Sequence, residues 1–457
     1  MNIPELVQSQ KNYFATQQTK DISFRKSALK RLQKELITRE KDIVKALHDD
    51  FKKPEYEAVM TETSIVLAEL KMAIKNIHSW SKPQRVLPSL LNFPSSAKMY
   101  KEPYGTVLII APWNYPYQLA FAPLLGAVAA GNTVVLKPSE LTPHTSKITQ
   151  EIIETVFDKN HVAVVEGGVD VSTELLAQRW DYIFFTGSVP VGKIVAKAAA
   201  NYLTPVTLEL GGKSPCIVDE TANIKLTAKR LVWGKFINGG QTCIAPDYLL
   251  IHTSVKEQFI QQFKEEIFRA YGENPQNSPD FSRIVNTKNF DRLALMLENE
   301  NCVIGGQTDR DNCYIAPTLI DEPSLDSEVM KGEIFGPIFP LISYENEVDI
   351  EKITAKYDKP LALYVFTNRN SFAKKMMQRF SFGGGTINDT TVHFANHRLP
   401  FGGVGESGIG SYHGKKTFDT FSHHKGVVSR GTWLDVPTRY APYKGKLQQL
   451  KTLMKLG

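Results

Sequence analysis

The stretch GGQTCIAPDY, Gly239–Tyr248, sets a cysteine among small and polar residues rather than in an apolar run. Glycine-rich turns and helix ends offer backbone N–H groups that stabilise a thiolate, the reactive form of the side chain. Cys243 is therefore a candidate nucleophile, with inert space-filling as the alternative. Glu209, in TLELGGK, lies between Leu208 and Leu210. On a strand it faces away from both, and a carboxylate flanked by apolar residues can act as a general base. The alternative is a solvated strand glutamate. Asn114, in APWNYP, follows an apolar run. Its amide could donate to an oxyanion or simply shape a turn.

Other motifs suggest chemistry less directly. GSVPVGKI, Gly187–Ile194, has the glycine and lysine spacing of a phosphate loop but places Ile194 where a magnesium-binding hydroxyl belongs. GGKS, Gly211–Ser214, has Thr207 in place of the first glycine. Neither supports a nucleotide triphosphatase. YIFFTGSVPVGKI still reads as strand, turn and helix, with Thr186, Gly187 and Ser188 at a helix N-terminus able to receive an anion. It is not the G-x-G-x-x-G fingerprint. Lys137 and Glu140, in LKPSE, follow another strand, and the carboxyl edge of a parallel sheet is where nucleotides bind. HFANH, His393–His397, lacks the glutamate of a zinc-protease helix, so its histidines read as solvated or structural, and no metal is expected. Glu333 and Phe335, in KGEIFGP, are unremarkable by themselves.

The elements that must hold these residues are legible in outline. Leu29, Leu32, Leu36, Ile43, Leu47 and Phe51 recur at helical spacing, predicting an amphipathic helix over residues 21–51, and a second helix covers 55–80. Prolines 83, 88, 94 and 103 exclude a long helix and predict an extended arm. From residue 105 onward TVLII, TVVLKP, VAVVEGG, YIFFTG and PVTLELGG alternate with helix-length stretches, the pattern of βαβ units and a parallel sheet. SPCIVD, DYLLIHT and ALYVFTN form a second such set. The uncharged run from Thr106 to Leu136 is long enough to span a bilayer, but its prolines and asparagines favour strand, turn, buried helix and strand.

Composition bounds the remaining classes. The 457 residues carry 42% hydrophobic and 22% charged side chains and a net charge of +6. That length suggests about three units at roughly 150 residues each. The spread of charge argues against nucleic-acid binding. Four cysteines without C-x2-C spacing argue against a disulfide or zinc framework and for a reducing compartment. The first residues lack the apolar core of a signal peptide. The tail YKGKLQQLKTLMKLG is basic and amphipathic, which predicts a surface helix and leaves open contact with a partner or a membrane surface.

Taken together and in order, PWNYP, LKPSE, FTGS, LELGGKSP, GQTC, EIFGP and LPFGGVGESGIG resemble the aldehyde dehydrogenase superfamily. The similarity runs from the first helices to about residue 425. SYHGKKTFDTFSH, the short N-terminus and WGKFINGGQTCIAPDY are similar to the class 3 branch, which handles fatty and aromatic aldehydes. The resemblance implies an α/β subunit. It comprises a modified Rossmann cofactor domain (1–82 and 105–209), a catalytic domain carrying the nucleophile (210–410), an extended β oligomerisation arm (83–104 and 411–430) and a tail (431–457). It implies Cys243 as nucleophile, Glu209 as the base that activates water, and Asn114 with the Cys243 N–H as oxyanion donors. It implies that Lys137 and Glu140 contact the adenine ribose, that Glu333 holds the nicotinamide ribose with Phe335 beside it, and that Ser188 lies near the pyrophosphate. Thr186 and Gly187 would shape that site and Trp113 would line the cleft. NAD is the expected cofactor, with NADP also possible, in a cytoplasmic homodimer. A coenzyme A-acylating enzyme and a non-catalytic protein that kept the fold are the competing readings.

Overall fold

The computed structural model describes residues 2–89 and 92–454. The parts of the domain, arm and tail assignments that fall on Met1, residues 90–91 and 455–457 lie outside the described residues. The β-branched runs after residue 105 form a six-stranded sheet in the order Gly408–Ile409, Val206–Glu209, Tyr182–Thr186, Thr106–Ile110, Thr133–Lys137, Val162–Val164. All neighbours are parallel except Gly408–Ile409, which pairs antiparallel with Val206–Glu209. The first strand in sequence, Thr106–Ile110, lies centrally, so chain order reverses between it and Tyr182–Thr186. Ligands of doubly wound sheets bind at that reversal, outside the carboxyl ends of the strands. Register brings those ends level: Ile110 is opposite both Lys137 and Phe185, and Thr186 is opposite Glu209.

The second set of strands builds a seven-stranded sheet. Its order is Cys302–Ile304, Thr318–Asp321, Ile338–Tyr344, Tyr248–His252, Pro215–Val218, Ala362–Phe366, Gly384–Ile387, parallel apart from the first pair. Strands Tyr248–His252, Pro215–Val218 and Ala362–Phe366 are buried almost end to end, as continuous apolar runs in a covered parallel sheet should be. A third, antiparallel sheet joins Gln84–Val86, Ser95–Pro103 and Ser422–Arg430. This is the proline-rich arm expected from the sequence, and most of its last strand is exposed.

The uncharged run 106–136 resolves into strand, the helix Gln118–Ala130 and strand. All thirteen residues of that helix are buried, and among the described residues no helix is long and apolar enough to cross a membrane. Helix Lys415–Thr420 packs on it at Gly126, where a Cβ would lie 2.3 Å from the Thr417 methyl. The stretch 408–420 therefore rejoins the first sheet and its helix before the chain enters the arm at Ser422.

Two helices differ from the sequence pattern. The helix expected over 21–51 breaks at Arg39 into Ile22–Thr38 and Glu40–Phe51. The Arg39 guanidinium there pairs with Asp42 and Glu151. The helix expected over 55–80 contains a π-turn, Val59–Thr63, before Ser64–Ser81. The turn carries Glu62 into the core, fully buried and paired with the fully buried Lys53. The second carboxylate oxygen of Glu62 accepts the N–H groups of Tyr117 and Gln118, the start of the buried helix. Glu62 thus fixes the turn that carries Asn114.

Glu62→Ala leaves a buried ammonium without its partner, a change that costs about 3–5 kcal/mol. Urea unfolding should show a loss of that size. A loss under about 1 kcal/mol would mean that Glu62 does not hold this junction.

Candidate active site

Helix Ile224–Phe236 ends in a tight turn, Ile237–Gly240, whose Asn238, Gly239 and Gly240 all have positive φ. At Gly240 the backbone passes so close to the loop after Glu333 that a Cβ would lie 2.3 Å from the Gly336 carbonyl. Only glycine allows this approach. The turn delivers Cys243, half-buried, with the Cys243 and Ile244 N–H groups directed to its sulfur. Those donors lower the thiol pKa as the sequence suggested. Burial acts more strongly in the opposite direction, with help from Glu333 and Glu209, and the net result is a thiol held well above its usual range.

Side chains that sequence reasoning passed over hold this turn. The Asn238 amide donates to the Asn114 carbonyl at 2.9 Å and to the Gln241 carbonyl at 3.1 Å. The Asn114 amide donates to the same Gln241 carbonyl at 3.0 Å. Gln241 donates to the Asn238 and Arg283 carbonyls and accepts from the Val285 N–H. Glu57, half-buried and raised to about 7 by desolvation, accepts the Asn238 N–H. The Tyr115 hydroxyl bonds Thr242 at 2.7 Å, and the Tyr364 hydroxyl donates to the Ile244 carbonyl. The Asn-Gly-Gly run with its left-handed bias was the one sequence signal for this arrangement.

Glu209 ends its strand between Thr186 and Gly408, and 2% of it is exposed. Leu208 and Leu210 pack into the apolar layer with Ile183 and Phe185, as the alternation required. Neither carboxylate oxygen of Glu209 has a hydrogen-bond partner. Burial holds its pKa well above the carboxylate range. Cys243, Glu209 and Thr186 line one cavity of about 200 Å3, walled chiefly by apolar residues including Ile65, Leu119, Phe394 and Phe401. Asn114 is buried beside it, tied to the Cys243 turn. Trp113 is not among the residues lining this cavity. It packs edge-on against Phe335, ring centroids 5.2 Å apart.

Phe335 adopts φ +53, a strained conformation for a bulky residue, and such strain concentrates at functional sites. Its neighbour Glu333 lies against Gly211, where a Cβ would come within 2.4 Å of either carboxylate oxygen. Burial raises Glu333 to about 8, aided by Asp247 and opposed by the Gly212 N–H, Arg292 and Lys213. The buried pair Lys213–Asp247, at 2.7 Å, holds this loop: Asp247 accepts the Ile334 N–H and Lys213 donates to the Val329 and Gly332 carbonyls. The lysine of GGKS is therefore structural. The lysine of the other cluster, Lys193, pairs with Glu406 at the surface.

At the carboxyl edge of the first sheet the remaining candidates lie together. Lys137 is buried and bonds the exposed Glu140 carboxylate at 2.6 Å. Thr186, with an unpartnered buried hydroxyl, ends its strand, and Gly187 donates to the Glu209 carbonyl. Ser188 caps helix Val189–Ala200 without a side-chain bond, and Gly168 caps helix Val169–Leu176 likewise. Beside these open helix N-termini, Val169, Val191 and Ile194 are exposed. His393 packs on Tyr364 and Phe401, and burial lowers it to about 4.

Known proteins share this architecture. The model of the aldehyde dehydrogenase family matches residues 1–427. The 4,4'-diaponeurosporen-aldehyde dehydrogenase of Staphylococcus aureus is 49% identical over 97% of both chains. Aldehyde dehydrogenase family 3 member H1 of Arabidopsis thaliana is 44% identical over 95% of this chain and 91% of its own. The substrate-bound structure of S. aureus AldH superposes with a TM-score of 0.97 at 48% identity, covering 99% of this chain and 100% of the other. The aldehyde dehydrogenase of Mycobacterium tuberculosis complexed with NAD+ gives 0.86 at 25% identity, covering 95% and 91%. With its nucleotide-type sheet, its thiol turn and this near full-length similarity, the chain belongs to the aldehyde dehydrogenase family, in the class 3 branch.

Proposed function

We propose that this chain oxidises apolar aldehydes to carboxylic acids with NAD(P) through a covalent intermediate on Cys243. One observation carries the proposal: a thiol and an unpartnered, buried carboxylate line the same apolar cavity at the reversal point of a nucleotide-type sheet. The lining fits a medium or long aliphatic chain, or an aromatic ring. It offers few polar groups that could reward a hydrophilic substrate.

The residues at the sheet edge fit a dinucleotide. Two open helix N-termini suit the pyrophosphate, and the exposed Val169, Val191 and Ile194 suit the adenine face. Lys137 and Glu140 suit the adenine ribose, and the Glu333 carboxylate suits the other ribose, with Phe335 and Trp113 beside it. The Glu140 carboxylate disfavours a 2′-phosphate, so NAD is preferred over NADP. When bound, the nicotinamide supplies the hydride acceptor.

In the chemistry assigned to the side chains, Cys243 first loses its proton to solvent. Glu209 is kept for the later hydrolytic step, where burial suits it to take a proton from water. The sulfur adds to the aldehyde carbon. The resulting oxyanion is met by the Cys243 N–H and by the Asn114 amide hydrogen not used by Gln241. After oxidation to the thioester, Glu209 deprotonates a water that attacks the acyl carbon and releases the acid. The apolar walls keep water scarce until that step. Retention of Glu209 favours hydrolysis over acyl transfer to coenzyme A.

We assign the six-stranded sheet to cofactor binding, the seven-stranded sheet to catalysis, and the three-stranded arm to pairing of two copies in a cytoplasmic dimer. The exposed Val427 and Val428 on the arm support the pairing.

Cys243→Ala should abolish turnover while leaving the fold intact by circular dichroism. Glu209→Gln should give one burst of reduced cofactor per enzyme, followed by a steady rate lowered about 10²–10⁴-fold. An unchanged steady rate would remove Glu209 from the mechanism. Acid should form without coenzyme A, and acid that appears only with it would select the acylating reaction. Glu333, raised from 4.5 to about 8, keeps its proton longer in the folded protein than in the unfolded chain. The associated stability is full below about pH 4.5 and is lost as pH rises through 8. Urea midpoints of the cofactor-free protein should therefore fall less between pH 5 and pH 8.5 in Glu333→Gln than in the parent.

A further inference from the structure

In the hydrolysis proposed above, each turnover leaves a proton on Glu209, and that proton must go before the next cycle. Glu209 is poorly placed to discharge it, because 2% of the residue is exposed and neither carboxylate oxygen has a hydrogen-bond partner. Two more groups on the wall of the same cavity share that condition. The Tyr412 hydroxyl and the Gln118 amide nitrogen are buried without partners. Tyr115, on the same wall, differs, because its hydroxyl is taken by Thr242.

The Tyr412 phenol is raised well above its usual range by burial and by two carboxyl groups, Glu209 and Glu69. Glu209 lines the cavity; Glu69 belongs to helix Ser64–Ser81 and does not. The chain ties the two together, since Gly414, two residues after Tyr412, donates its N–H to Glu69. The turn between them is strained. His413 has φ +96, and a Cβ on Gly414 would lie 2.5 Å from the His397 carbonyl. Glu69 is 7% exposed, its Oε1 is buried without a partner, and burial raises it to about 7. A carboxyl that titrates near neutrality and still reaches solvent both accepts and releases a proton readily.

The surrounding charges are neutral or taken. His413 is lowered to about 3 by burial, with His393 and His397 adding to the effect, and Cys243 is the other ionisable group near the phenol. Of the elements packed on the Glu69 helix, Gln118–Ala130 carries no charge, and Glu62 is bound by Lys53. Lys101 and Lys415 are bound by Asp419, Glu102 by Lys425, and the buried Arg25 by backbone carbonyls. Lys71, Lys75 and His78 of the helix itself are exposed, as are Lys98 and Lys416.

We propose that Tyr412 and Glu69 carry the proton of Glu209 out of the site. The proposal rests on the hydrolytic reading. The Glu209 O–H bond breaks as its proton passes to the Tyr412 oxygen, and the phenol O–H bond breaks as its own proton passes on to Glu69. Water, which ordinarily bridges buried polar groups of this kind, spans the gaps. Glu69 then releases one proton to solvent. Glu209 is left as the carboxylate, Tyr412 and Glu69 return to their starting forms, and nothing is oxidised or reduced. Gln118, whose amide lies against the phenol, orients it.

Steady-state and burst kinetics of Tyr412→Phe and Glu69→Gln test the path. Each variant should give one burst of reduced cofactor per site, because attack by Cys243 does not use the path, and then form acid about tenfold more slowly than the parent. The parent kcat should rise with pH through an inflection near 7, where Glu69 ionises, and Glu69→Gln should lose that inflection. Added imidazole, a small diffusible proton carrier, should restore the steady rate of both variants. The double variant should be no slower than the slower single one, because members of one path do not add. Rates are counted per burst, so a variant that folds poorly is scored by its competent sites. Unchanged steady rates overturn the proposal. Slow rates with the parent pH profile and no response to imidazole also overturn it, and make Tyr412 a wall residue only. Acid formed only with coenzyme A would sink the hydrolytic reading itself, whereas ordinary acid formation by unaffected variants sinks the path alone.

Discussion

Two buried amides, those of Asn238 and Asn114, join the two halves of the site. Asn238 reaches from the turn before Cys243 to the carbonyls of Asn114 and Gln241, and Asn114 returns a bond to Gln241. One of these loops follows the central strand of the first sheet, and the other precedes a strand of the second. Their separation, and so the position of the thiol relative to the first sheet, is set where these amides meet. The outer supports converge on the same point. Glu57 holds the Asn238 backbone, Glu62 holds the helix behind Asn114, and the Gly336 carbonyl presses against Gly240 from the far side. A buried polar network of this kind is rigid when its members are satisfied and costly when they are not.

The electrostatics follow from that burial. Glu209, Glu333 and Glu57 all sit where desolvation favours the neutral acid. The site thus assembles several potential negative charges while holding them close to neutrality. A thiolate formed there would face little opposing charge as long as the acids keep their protons. Its own ionisation is opposed by the same burial.

Much of this was visible in the sequence. Continuous β-branched apolar runs predicted the strands, and the prolines predicted the extended segment before residue 105. The candidate residues of both sheets were all named before their distances were known. What escaped was set by tertiary contact. The helix breaks at Arg39 although its apolar spacing is unbroken, and the Arg39 guanidinium pairs with Asp42 and Glu151 there. The π-turn at 59–63 has no spacing signature, and it sets Glu62 against Lys53 in the core. Lys213, in a cluster the sequence already set apart from a phosphate loop, proved to be the buried partner of Asp247. Trp113 found a ring rather than the cavity wall.

Glu209 is fenced on its open side by Gly408, a residue encoded far downstream, whose backbone passes so near Leu208 that a Cβ would lie 2.4 Å from its carbonyl. The pocket's acid therefore has no wall on that flank while the nascent polypeptide is still emerging. Only after the whole second sheet has been translated can the last short strand slot in beside it.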